Sequence, residues 1–350
     1  MAALDAWMAA LGGRRTAPAT IAVMGDSNSE GTGAGHVTRR WQQMLQDQLR
    51  ARYQPAGVPG AVISYICASP RTNPPLAGYP LTVSGTVSTA SYGLGLRAAG
   101  FAEDQTLTFT AAATRVRLYG TKGPTVGRCS VRLDDSAEVV ADGWRSGGVA
   151  SGQLLWDSGP LQPGTHTLRV GRAASTTFDP GPVFPEGVLV HNGDEGAGIR
   201  VVDAARHGTQ VGAFAGSQAW QTALAATKPS LLVMPWGAND VTAGTAADGF
   251  RASVEQVIAS ARAAGFDGSV LLVYMPRRAS ADPVAWAEYG QQLCAVAASD
   301  PGVAMLDLRS RIPDHGTALG VYADDVHYTA RGQGWIADEI AAAITPGRGC

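Results

Sequence analysis

Between residues 80 and 192 the chain shows no helical periodicity, while on either side of that stretch strand-like apolar runs alternate with helix-like segments. This interruption constrains the fold more than any other feature. Ahead of it, residues 20–25 form a short apolar run closed by glycine, the pattern of a parallel strand buried on both faces. A Gly-rich loop follows, and residues 37–53 then place Trp41, Met44, Leu45 and Leu49 at helical spacing. Beyond the interruption, strands are predicted over 199–205, 230–235, 270–275 and 303–308. Helices are predicted over 219–227, 247–264, 283–298 and 330–344, the last capped by Thr329. Strands alternating with helices predict a parallel sheet covered on both faces.

Inside the interruption, short alternating runs at 106–110, 115–119, 129–133 and 165–170 are separated by turn residues, which predicts an antiparallel β-sandwich. The simplest arrangement is an α/β domain split into residues 1–79 and 193–350, with an all-β module of residues 80–192 inserted after its first βα unit. A chain of 350 residues has the length for two such domains.

The formal net charge of −2, with no basic stripe, argues against nucleic-acid binding. Residues 1–11 read as a short amphipathic helix and not as a signal peptide, because Asp5 interrupts the apolar run and the arginines follow it. No segment approaches the length of a membrane span. The cysteines Cys67, Cys129, Cys294 and Cys350 are scattered, and the histidines form no ligand cluster. Neither a disulfide framework, nor a metal, nor a cofactor is expected. The oligomeric state is left open.

Four strand ends carry groups able to do chemistry. Gly25-Asp26-Ser27-Asn28-Ser29-Glu30-Gly31 follows the first strand, at the edge where open α/β sheets place ligands. Alone it reads more readily as a turn capping the next helix. The glycines at 31, 33 and 35 match neither the P-loop nor the dinucleotide pattern. Near the C-terminus, Asp324, Asp325 and His327 lie in the loop before the last helix, where a carboxylate can curl back to the imidazole. Serine hydrolysis needs that pair: a base in reach of the hydroxyl and an acid that fixes its tautomer. Asn239, in Trp236-Gly-Ala-Asn-Asp240, ends another strand, where an amide can donate to a developing oxyanion. Gly208, after Asp203-Ala-Ala-Arg-His207, can bring a backbone N–H to a substrate.

Gly-Asp-Ser, a later Gly, Gly-x-Asn-Asp and Asp-x-x-His, in that order, resemble the blocks of the GDSL, or SGNH, hydrolase family over about residues 18–55 and 198–345. The resemblance implies a flavodoxin-like three-layer α/β fold and hydrolysis of carboxylic esters without a cofactor. It matches Ser27 to the nucleophile, His327 to the base and Asp324 to the orienting acid. The Ser27 amide, Gly208 and Asn239 match the oxyanion donors. Asn28 departs from the family's leucine or isoleucine, and Asp203-Ala-Ala205 departs from its Asn-x-Gly.

The absence of a long apolar lid and the inserted module, which vaguely resembles carbohydrate-binding jelly rolls, favour an acylated polysaccharide as substrate, with removal of O-acetyl groups. Proteins of this build also resemble enzymes of phage tails or secreted enzymes acting on cell envelopes, which places the expected action outside the cell, with the cytoplasm as the alternative. The rival functions are a glycan-binding or structural tail protein with a vestigial hydrolase domain, and an acetyltransferase or lipase of the same fold. Tyr92, Phe101, Tyr119, Trp144, Trp156 and Phe178 are the aromatic side chains of the insert that sugar rings could stack on; most are expected in its core.

Overall fold

The computed structural model describes residues 2–70, 76–102, 104–174, 181–313, 315 and 320–346. Five parallel strands form its centre: β1 (Ala19–Val23), β2 (Ile199–Asp203), β3 (Leu231–Met234), β4 (Ser269–Tyr274) and β5 (Val303–Asp307). Their order in the sheet is β2-β1-β3-β4-β5, the doubly wound order with its switch point between β1 and β3. Every residue of β1 to β4 is buried. Successive side chains of a strand point to opposite faces, so both faces of this sheet are covered. That is why the strands read as unbroken apolar runs.

The helices Trp41–Tyr53 and Ala330–Ile344 pack against each other, as do Ala247–Ala263 and Pro283–Ser299. The first begins later than its spacing suggests. Residues Val37–Arg39 form a separate 3-10 turn, and Arg40 adopts extended backbone. From there the Arg40 guanidinium is buried against Asp203, 2.6 Å away.

The segment without helical periodicity forms two antiparallel sheets of five and four strands, besides the two-stranded pair Ser88–Ala90 and Ala98–Gly100. One has the order Leu81–Ser84, Thr106–Ala113, Gly164–Arg172, Cys129–Leu133, Val139–Ala141. The other has the order Ala150–Asp157, Arg115–Lys122, Pro185–His191, Tyr65–Cys67. Leu107, Phe109, Val131, Leu168 and Val170 of the first meet Ile66, Val116, Leu118, Val188 and Val190 of the second in one core. The second sheet takes in a strand upstream of residue 80: Tyr65–Cys67 pairs with Pro185–His191. Three residues are too few to show alternation, so nothing in the sequence marked that strand.

This second sheet is shared between the layers. Pro185–His191 is buried throughout, with Val188 and Val190 in the antiparallel core. Leu189, Tyr119, Tyr65, Leu94 and Leu96 join the core of the parallel sheet. The antiparallel layer is therefore packed against the α/β layer through a continuous apolar contact and does not hang from a linker.

Candidate active site

Ser27 opens a one-turn helix, Ser27–Glu30, just beyond the end of β1. Asp26 caps it, its Oδ1 accepting the Asn28 N–H at 2.9 Å. Gly31 ends it in the left-handed conformation (φ 101°), which favours glycine. Gly25 has no alternative either, since a Cβ there would lie 2.3 Å from Ser29 Oγ. As the first residue of a helix, Ser27 has an amide N–H without an intrahelical acceptor.

His327 comes from a loop folded back on itself. Tyr322 bridges Tyr328, and the Ala323 N–H donates to the His327 carbonyl at 2.8 Å. Inside this loop Asp324 Oδ1 accepts the backbone N–H groups of Val326 (2.9 Å) and His327 (2.8 Å). Its Oδ2 meets His327 Nδ1 at 2.8 Å, and His327 Nε2 lies 2.9 Å from Ser27 Oγ. Burial opposes ionisation of Asp324, but the His327 ring and the two N–H groups outweigh it and hold the carboxyl below its ordinary value. A carboxylate on Nδ1 fixes that nitrogen as the donor, which leaves the Nε2 lone pair facing the serine hydroxyl. Gly33 lets the two loops close: a Cβ there would stand 2.5 Å from the Tyr328 carbonyl.

The neighbouring Asp325 faces away from the imidazole. It accepts the Ser280 N–H at 2.8 Å and Oγ–H at 2.7 Å, and pairs with the Arg278 guanidinium. The Ser280 hydroxyl, with Arg278, holds this carboxyl at about 2 against partial burial.

Asn239 and Gly208 converge on the same place. Asn239 Nδ2 donates to the Thr209 carbonyl at 3.1 Å, next to Gly208, and reaches Asp26 Oδ2, next to Ser27, only at 3.5 Å. The amide has two hydrogens, so one remains weakly engaged. Gly208 is exposed, in the left-handed region (φ 67°). Gly208 and Asn239 line an open cavity of about 460 Å³ with Arg206, Thr209 and Thr242. Asp240 accepts the Val211 N–H at 3.1 Å and so secures the end of that loop. Burial pushes the carboxyl of Asp26 up to about 7, with the Asp240 charge adding to it.

Sequence reasoning missed a buried ionic cluster under this site. Arg97 Nη1 lies 2.6 Å from Glu30 Oε1, and its Nη2 lies 3.1 Å from Asp203 Oδ2. Burial disfavours ionisation of Asp203, yet Arg97 and Arg40 hold its carboxyl at about 2. Glu30 Oε2 also accepts the His207 N–H at 2.7 Å. The His207 ring, joined to Thr32 Oγ1 at 3.0 Å, lies nearly parallel to that of His327, with 6.1 Å between centroids. The only hint was the polarity of isolated residues in otherwise apolar stretches.

Among the described residues no group of His, Cys, Asp or Glu side chains is arranged to hold a metal ion. Among the described residues no helix is long and apolar enough to cross a membrane. Cys67 and Cys129 are buried free thiols and Cys294 is an exposed one, whereas Cys350 lies outside the described residues.

Residues 171–335 match the model of the GDSL-like Lipase/Acylhydrolase family. The match includes Gly208, Asn239, Asp324 and His327 and begins beyond the Ser27 block, which the antiparallel segment separates from the rest. No curated protein sequence matches the chain. Among solved structures, one described as "Peptidoglycan O-acetylesterase in action" is similar with a TM-score of 0.71 and 18% identity, covering 98% of this chain and 96% of that one. A carbohydrate esterase family 3 protein from Talaromyces cellulolyticus is 14% identical over 93% of this chain and 96% of its own, with a TM-score of 0.42. The resemblance drawn from the sequence blocks holds: the chain carries a GDSL/SGNH hydrolase fold and is a hydrolase of ester bonds.

Proposed function

We propose that this GDSL-type ester hydrolase removes O-acetyl groups from a glycan, with Ser27 as nucleophile, His327 as base and Asp324 as the acid that orients it. The observation that carries the reading is the unbroken relay from Asp324 Oδ2 through both His327 nitrogens to Ser27 Oγ, each step under 3 Å. His327 Nε2 takes the hydroxyl proton while Oγ bonds to the ester carbonyl carbon. The carbonyl oxygen becomes an oxyanion, received by the Ser27 and Gly208 N–H groups and the weakly engaged hydrogen of Asn239 Nδ2. Collapse breaks the bond to the sugar oxygen, which leaves with the proton from His327. Water, deprotonated by His327, then attacks the acyl-enzyme, and acetate departs with Ser27 restored.

The glycan part of the proposal rests on two supports. The overlay with the peptidoglycan O-acetylesterase spans both layers of the fold, including the antiparallel one. The cavity beside Asn239 and Gly208 is open, with charged and polar side chains on its wall, as suits one ester on a hydrophilic chain. We further assign residues 80–192 to holding that chain. Among the aromatic side chains of the segment, Trp144 is half exposed, while Phe101 and Tyr119 are buried and Phe178 lies outside the described residues. Acetate release from a panel of acetylated polysaccharides, O-acetylated peptidoglycan among them, tests the reading. Hydrolysis of p-nitrophenyl acetate with no release from any glycan contradicts it.

A further inference from the structure

We propose that Arg97, supplied by the antiparallel layer, is a positioning residue for the oxyanion-binding loop and acts through Glu30. The proposal rests on the catalytic reading above. Arg97 is fully buried and its guanidinium bridges two carboxylates, Glu30 at 2.6 Å and Asp203 at 3.1 Å. Each of these carboxylates holds the backbone of the strip that leads into Gly208. Asp203 Oδ1 accepts the Ala205 N–H at 3.0 Å, and Glu30 Oε2 accepts the His207 N–H at 2.7 Å. Between them the Arg206 N–H donates to the Gly25 carbonyl at 2.8 Å. Three successive N–H groups are thus tied to the nucleophile turn or to the arginine's partners, and Gly208 is the next residue along.

The turn bearing Arg97 is pressed onto the same strip. A Cβ on Gly95, itself in the left-handed region, would stand 2.9 Å from the Ala205 carbonyl. Glu30 is also the last residue of the helix that Ser27 begins. One carboxylate therefore sets the spacing between the nucleophile and the oxyanion loop, and the arginine fixes that carboxylate. A planar guanidinium spans two acceptors in a way an ammonium does not. Small displacements matter here, because donors work only when aimed at where the oxyanion forms.

The test measures kcat and KM for p-nitrophenyl acetate, thermal melts, and inhibition by a small boronic acid in Arg97→Met, Arg97→Lys and Glu30→Gln. The boronic acid forms a tetrahedral adduct on Ser27 with an oxygen at the oxyanion position. Glu30→Gln keeps the side-chain shape and is expected to lower kcat by about 10- to 100-fold, with KM within about twofold. Boronate affinity should fall by a similar factor. Arg97→Met should lose at least as much, and Arg97→Lys should recover part of it. A merely structural role would lower the melt and leave kcat and boronate affinity of the folded protein at wild-type values, which overturns the proposal. If Arg97→Met does not fold, Glu30→Gln decides alone. Wild-type protein inert toward both the ester and a fluorophosphonate overturns the catalytic reading and this inference with it; active wild type with unaffected variants overturns only the inference.

Discussion

Asp324 Oδ2 lies 2.8 Å from His327 Nδ1, while the adjacent Asp325 turns to Arg278 and Ser280. Two acids side by side in one loop therefore have separate tasks. Asp324→Asn should leave the fold intact but misorient the imidazole, costing up to about 10⁴ in kcat. Asp325→Asn should cost far less and show mainly as a lower melting temperature, since it loosens the Arg278–Ser280 loop. Steady-state kinetics on p-nitrophenyl acetate decides between them, and a larger kcat loss in Asp325→Asn contradicts the assignment.

Asn239 is held at 3.1 Å by the Thr209 carbonyl with its second amide hydrogen barely engaged. Asn239→Ala is expected to lower kcat by roughly 10²–10³ with little change in KM, as for a donor that acts in the transition state. A variant that loses substrate affinity alone would mean that the amide binds the ground state.

Glu186 is buried in the shared sheet, and among the described residues it accepts hydrogen bonds from neutral donors: Thr121 Oγ1, Ser151 Oγ and the Gly152 N–H. Burial pushes its carboxyl from 4.5 up to about 7. The folded state therefore binds more protons than the unfolded chain between those values. That contribution is fully present below about 4.5 and is lost as pH rises through about 7. Asp26 works in the same direction. Glu186→Gln should flatten the fall of the melting temperature between about pH 5 and pH 8 and raise it at the alkaline end. An unchanged slope would show that Glu186 does not titrate in this range.

Trp144 offers its ring at the surface of the antiparallel layer, with half of its area exposed. If that layer holds the polymer through this ring, Trp144→Ala should reduce turnover of acetylated polysaccharide and leave p-nitrophenyl acetate untouched. Equal rates on the polymer would remove Trp144 from the binding surface. Replacing residues 80–192 with a linker would not isolate a binding role, because it strips Arg97 from Glu30 and Asp203 and Leu189 from the main core.

What was legible in the sequence follows from locality. The five parallel strands announce themselves as buried apolar runs, and the Ser27 turn and the Asp324–His327 loop are short motifs complete within a few residues. The Asp203–Arg97–Glu30 cluster is not, because its members are far apart in the chain and belong to different layers. No spacing rule links an arginine in a Gly-rich turn to a glutamate after the first strand. Tyr65–Cys67 was missed for a related reason: its partner strand, Pro185–His191, lies beyond most of the antiparallel layer.

The account stands most directly on Ser27, whose Oγ lies 2.9 Å from His327 Nε2. The measurement is turnover of p-nitrophenyl acetate by Ser27→Ala alongside its thermal melt and fluorophosphonate labelling of the wild type. The expected result is loss of nearly all turnover, a melt within about 1 °C of wild type given a small change on a packed loop, and label on Ser27 alone. Turnover close to wild type in a folded Ser27→Ala protein, or label at another residue, would contradict it.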